Sequence, residues 1–128
     1  MSPDLLLKKT AGVFVPISTP FRDDEEVDYD ALIFNLERYA ASGVLGYLAL
    51  GSNGENRSLT EEEKLKVLET IVRHKGQGQV VMAGATYDAQ RDTERFLKCA
   101  ASIGADFGLV LSPGYFRKQM TDDVLYRY

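Results

Sequence analysis

Short apolar runs rich in β-branched and aromatic residues alternate with amphipathic helical patterns along the whole chain. That alternation restricts the fold to a parallel sheet packed against helices. "GVFVPIS" (Gly12 to Ser18) is the first run, and Pro16 inside it has no amide hydrogen, so pairing is interrupted there or lies near an edge. From Asp28 as a cap, Leu32, Ile33, Leu36, Tyr39 and Ala40 recur at spacings of three and four, and Gly43 stands where a left-handed terminator is wanted. "GYLALG" (Gly46 to Gly51) reads as a buried strand. Thr60 with Glu63 forms a capping box, and Leu65, Leu68, Ile71 and Val72 give one face of a helix that stops near Gly76. "VVMAGA" (Val80 to Ala85) is a third strand, Asp88 or Asp92 opens a helix carrying Phe96, Leu97 and Ala100, and Gly104 ends it. "FGLVLS" (Phe107 to Ser112) is a fourth strand, and Thr121 starts a further helix.

Two architectures accommodate this order: an open doubly wound sheet with helices on both faces, or part of a (β/α)8 barrel. The 128 residues suit the first, because a barrel typically needs about 250. The ending favours the second: "MTDDVLYRY" stops one or two turns into an amphipathic helix without the strand it would deliver, which predicts a truncated chain. The connections "STPFRDDEEV", "GSNGENRS", "ATYDAQ" and "SPGYFRKQM" all follow strands and carry hydroxyl, amide or tyrosine groups. The carboxyl edge of a parallel sheet is where ligands bind.

Composition removes several function classes. A formal charge of −4 with dispersed Lys and Arg offers no footprint for nucleic acid or an anionic membrane surface. Cys99 is the only cysteine and falls in a helical pattern beside Ala100 and Ala101, where it reads as packing. No run approaches the ~18 to 20 apolar residues needed to cross a bilayer, and "MSPDLLLKKT" is too poor in apolar residues for a signal peptide, so a cytoplasmic protein is expected. His74, the lone histidine, sits at the charged end of the second helix and is expected to be structural.

The elements "P-x-x-T-P-F" (Pro16 to Phe21), "GSNGE" (Gly51 to Glu55), "AGA" (Ala83 to Ala85) and "SPGYF" (Ser112 to Phe116) fall in an order and spacing that resembles the dihydrodipicolinate synthase / N-acetylneuraminate lyase family. The resemblance covers nearly the whole chain and rests on the combination of "GSNGE" with the later "SPGY". It implies the N-terminal half of a (β/α)8 TIM barrel, with residues 1–128 as one portion of a single domain. The implied enzyme is a class I lyase that takes pyruvate or another 2-oxo acid as a Schiff base on a lysine, with no cofactor and no metal. That lysine, on the family's sixth strand, is expected beyond Tyr128, so residues 1–128 alone are expected to be inactive. Lys8, Lys9, Lys64, Lys66, Lys75, Lys98 and Lys118 read as solvated residues on helices, loops and the N-terminal tail.

By this resemblance, Gly51, Ser52 and Asn53 bind the substrate carboxylate, the glycines Gly51 and Gly54 allow a tight backbone, and Ser52 joins a proton relay. Where the family most often has threonine or serine, Asn53 keeps polar contact but loses a hydroxyl. Tyr115 is the second catalytic candidate, passing a proton toward a neighbouring subunit's site across a homodimer or homotetramer interface. Glu55 is expected to bond backbone groups near its own turn. "GSNGE" with "PGYFR" looks most like 4-hydroxy-2-oxoglutarate aldolases, and 4-hydroxy-tetrahydrodipicolinate synthase is the alternative. From another class, an open α/β module or inactive barrel remnant binding a small anion at "GSNGE" remains open. A P-loop is excluded, since no Gly-Lys-[Ser/Thr] follows.

Overall fold

The computed structural model describes residues 3–128, and the side chains of residues 7–116 and 118–128. Four strands, β1 (Phe14–Pro16), β2 (Gly46–Ala49), β3 (Val80–Ala85) and β4 (Phe107–Val110), form one sheet in the order β1-β2-β3-β4. All three pairings are parallel. Three helices connect them: α2 (Tyr29–Ala40), α3 (Glu61–His74) and α4 (Gln90–Ile103), while α1 (Pro3–Thr10) precedes β1 and α5 (Asp122–Arg127) follows β4.

The helices pack α2 on α3 and α3 on α4, side by side over one face of the sheet. Registers Tyr47↔Val81 and Ala49↔Ala83 put these residues and Ala85 on that face, where all five are fully buried against Leu32, Leu36, Leu68, Ile71 and Phe96. The other face carries Phe14, Leu48, Met82 and Leu109, each partly or largely exposed. A doubly wound sheet reverses its strand order and covers both faces. This sheet does neither, so it matches the N-terminal part of a (β/α)8 barrel, whose second face would be the barrel interior.

Local signals explain most boundaries. The Asp28 carboxylate accepts the Ala31 N–H at 2.9 Å at the start of α2. Thr60 and Glu63 cap α3 reciprocally. Gly104 ends α4 in the left-handed region, with φ 111°. The buried face of α3 is Val67, Leu68 and Ile71, with Leu65 and Val72 partly buried at its margins.

Three expectations need correction. Neither Asp88 nor Asp92 caps α4, whose N-cap is Ala89 with no side-chain bond. Asp88 instead accepts the Gly114 N–H at 2.8 Å, tying the "SPGYF" loop to the connection after β3. The supposed N-terminal tail contains helix α1, and Lys9 is not simply solvated: it and Lys75 both pair with Asp106, at 3.2 Å each. Lys64 is also largely covered, pairing with Glu61 at 2.6 Å and lying 5.0 Å from the Tyr87 ring centroid.

Candidate active site at the carboxyl edge

The chain leaves β2 through Leu50, a fully packed side chain held at φ 58°, in a region that L residues with bulky side chains rarely adopt. This inverts the backbone and turns the Leu50 carbonyl toward β3. Gly84 makes room for it: a Cβ there would lie 2.6 Å from that oxygen. Asn56, 8% exposed, donates to the same carbonyl at 2.6 Å and to Thr86 Oγ1 at 3.1 Å. The turn between these anchors is a single 3-10 turn, Ser52–Gly54.

Its far end is held from β1. The Thr19 hydroxyl donates to the Gly54 carbonyl at 2.7 Å, and Gly54 lies so near the Ile17 carbonyl that a Cβ would come within 2.9 Å. Gly51, by contrast, is extended at φ −75° with ordinary room for a side chain, so of the two glycines only Gly54 is required by close approach. Glu55 takes the left-handed conformation at φ 49°, is exposed, and lines a depression with Ser52, its side chain making no hydrogen bond among the described residues. The residue bonding backbone near the turn is therefore Asn56, not Glu55.

Within the turn the Gly54 and Glu55 amides donate to the Gly51 and Ser52 carbonyls, each at 3.1 Å. The amides of Ser52 and Asn53 have no acceptor among the described residues. Two adjacent N–H groups and an exposed hydroxyl thus stand at the edge of the sheet, an arrangement suited to a carboxylate.

The other sequence candidate is displaced from this turn. Tyr115 is 79% exposed, stacks edge-to-face with Phe116 at 4.8 Å, and lines an apolar groove of about 610 Å³ with Pro113, Met120 and Val124. Ser52 lines a separate depression of about 250 Å³. Between them, Arg57, Thr86, Ser112 and Gly114 line a third of about 370 Å³. No described depression contains both Ser52 and Tyr115.

Tyr87, on the connection after β3, is held in place. Its hydroxyl donates to Glu61 Oε2 at 2.7 Å, and burial together with that carboxylate pushes its phenol well above the ordinary range. His74 is exposed at the end of α3, and Cys99 is a partly buried free thiol on α4. Among the described residues no helix is long and apolar enough to cross a membrane, and no three His, Cys, Asp or Glu side chains gather as a metal site.

The model of the dihydrodipicolinate synthetase family matches residues 9–128. The chain belongs to this family. The dihydrodipicolinate synthetase family chain is 35% identical over 104 residues to 4-hydroxy-tetrahydrodipicolinate synthase of Natronomonas pharaonis, covering 81% of itself and 35% of that relative. It is 36% identical over 117 residues to L-threo-3-deoxy-hexylosonate aldolase of Hypocrea jecorina, covering 88% of itself and 37% of the aldolase. Among solved structures, a chloride-inhibited dihydrodipicolinate synthase from Acinetobacter baumannii, complexed with pyruvate, superposes with a TM-score of 0.85 at 30% identity. That superposition covers 91% of this chain and 39% of the synthase. The chain therefore spans well under half the length of the relatives it matches, and its strands and helices are those of the N-terminal part of their barrel.

Asn56, Thr86, Thr19 and Arg57 escaped the sequence reading of the site. For Asn56 a signal was present: an amide directly after "GSNGE" is a ready partner for a carbonyl left unpaired by a left-handed turn.

Proposed function

We propose that residues 1–128 are the carboxylate-binding part of a Schiff-base lyase that cleaves or forms a carbon–carbon bond in a 4-hydroxy-2-oxo acid, with pyruvate as the 2-oxo product or substrate. The observation carrying this reading is the pair of unused amides at Ser52 and Asn53 beside the Ser52 hydroxyl, on a turn clamped from three strands. The carboxylate of the 2-oxo acid takes those donors, which fixes the adjacent ketone for attack by a lysine amine supplied from outside these residues. In cleavage the C3–C4 bond breaks, its electron pair moves toward the protonated imine, and the C4 hydroxyl gives up its proton as the aldehyde forms. Ser52 and Tyr115 carry that proton; by likeness to the family, Tyr115, which lines a depression separate from that of Ser52, serves the site of a second subunit. The aldolase and pyruvate-complexed relatives support this chemistry. A second reading, condensation in the manner of 4-hydroxy-tetrahydrodipicolinate synthase, is favoured by the names of several similar relatives.

Borohydride reduction of the full-length protein with pyruvate tests the proposal. A stable adduct mapping to a lysine outside residues 1–128 is expected, and none on the isolated segment. Absence of any adduct, or an adduct on one of the seven lysines here, would overturn it.

A further inference from the structure

Tyr115 is placed by the backbone around it rather than by its own side chain. That side chain is exposed, touches the exposed Phe116 ring, and makes no hydrogen bond among the described residues. Packing does not hold Gly114 either: beyond its chain neighbours a Cβ there would meet nothing within 4 Å, and Pro113 before it has no amide hydrogen to offer. What remains is one bond. The Asp88 carboxylate accepts the Gly114 N–H at 2.8 Å, and among the described residues Asp88 is the one side chain bonded to the backbone of residues 112–116. The far end of the segment returns to the same place. The Tyr128 hydroxyl donates to the Tyr87 carbonyl at 2.8 Å and lies 2.6 Å from Thr93 Oγ1. Tyr87, next to Asp88, is anchored in turn by its bond to Glu61 at 2.7 Å and by its ring, whose centroid lies 5.5 Å from that of Phe96. Two adjacent residues after β3 thus clamp both ends of the stretch that carries Tyr115.

We infer that Asp88 is a positioning residue for the reaction: by holding the Gly114 amide it fixes where the Tyr115 phenol is delivered. This inference rests on the assignment of Tyr115 to the proton relay. A phenol passes a proton only within hydrogen-bond reach of its partner, so a loop free to shift by about 1 Å loses much of the transfer. Asp88 takes no proton in that step. Its carboxylate serves as an acceptor for a backbone amide, and the carbonyl oxygen of an asparagine in the same place can accept that bond too. Asparagine should therefore replace it, and alanine should not.

The test follows pyruvate release from 4-hydroxy-2-oxoglutarate by the full-length protein, for wild type, Asp88→Ala, Asp88→Asn, Tyr115→Phe and the double variant Asp88→Ala/Tyr115→Phe. Asp88→Ala should lower kcat by about 10- to 100-fold and leave KM near wild type. Asp88→Asn should recover most of that loss. In the Tyr115→Phe background Asp88→Ala should cause no further loss, because no phenol is left to position. If Asp88→Ala slows the Tyr115→Phe protein by the same factor as it slows wild type, or leaves wild-type kcat unmoved while Tyr115→Phe lowers it, the role of Asp88 is wrong and the relay stands. An Asp88→Asn protein as slow as Asp88→Ala would equally contradict a role as acceptor. A Tyr115→Phe protein as fast as wild type, or a wild type that releases no pyruvate, would remove the relay and this inference together.

Discussion

Leu50 carries an unfavourable conformation that its neighbours compensate. A left-handed backbone costs a non-glycine residue about 1 kcal/mol or more, and a buried carbonyl without a donor would add to that. The Asn56 amide removes the second cost by donating at 2.6 Å, and its other bond, to Thr86, links the turn to the connection after β3. Asn56→Ala leaves the Leu50 carbonyl buried and unpaired, so it should destabilise the protein by about 1–3 kcal/mol. Urea unfolding of wild type and variant, at equal slope, measures this directly. That a polar turn stands at "GSNGE" was legible in the sequence, because two glycines, a hydroxyl and an amide between a strand and a capped helix have few other uses. Which side chain holds the turn was not legible. Glu55 is exposed on that turn at φ 49°, and its side chain bonds no backbone group among the described residues, whereas the Asn56 amide reaches the Leu50 carbonyl.

Among the elements, the least expected join is at the amino edge of the sheet, where Asp106 at the start of β4 gathers Lys9 from α1 and Lys75 after α3. Its carboxylate also accepts the Val81 N–H at 3.1 Å. Burial alone would raise its pKa, but the Val81 amide and the two lysines outweigh burial and hold it below the ordinary carboxylate value. A group with a depressed folded pKa contributes stability above its unfolded value, about 3.9 for aspartate, and loses it as pH falls through the folded value. Asp106→Asn should therefore be less stable than wild type at pH 6, and the gap should narrow steadily as pH falls below 4. Urea midpoints measured between pH 6 and pH 3 give the comparison. The helix caps at Asp28 and Thr60 were legible because their partners lie three residues away. Asp88 was misassigned for the converse reason: its partner, Gly114, is 26 residues distant.

At the scale of the whole molecule, the sheet leaves hydrophobic surface uncovered among the described residues. In β4, Leu109 is 44% and Val110 43% exposed, with Leu111 beyond them at 55%, and the far side of β4 has no strand partner. An open, apolar parallel edge is a template for association. Residues 1–128 expressed alone should self-associate, with a weight-average mass in sedimentation equilibrium that rises with concentration. A lysine at the edge, Val110→Lys, should reduce that rise. A monomer with an unchanged mass over the same range would contradict the reading of β4 as an incomplete edge.

Local chemistry written along the chain determined the alternation of strands and helices, the caps of α2 and α3, the glycine that ends α4, and the polar turn after β2. Each depends on residues within a few positions of one another, so spacing alone carries the information. Tertiary structure decided the rest. Whether the helices cover one face or two, which amide supports the Leu50 carbonyl, and whether Ser52 and Tyr115 share a depression all depend on groups brought together from distant segments. The strand order and the single helical layer follow from how the connections wind over the sheet, and periodicity in the sequence is identical for either winding.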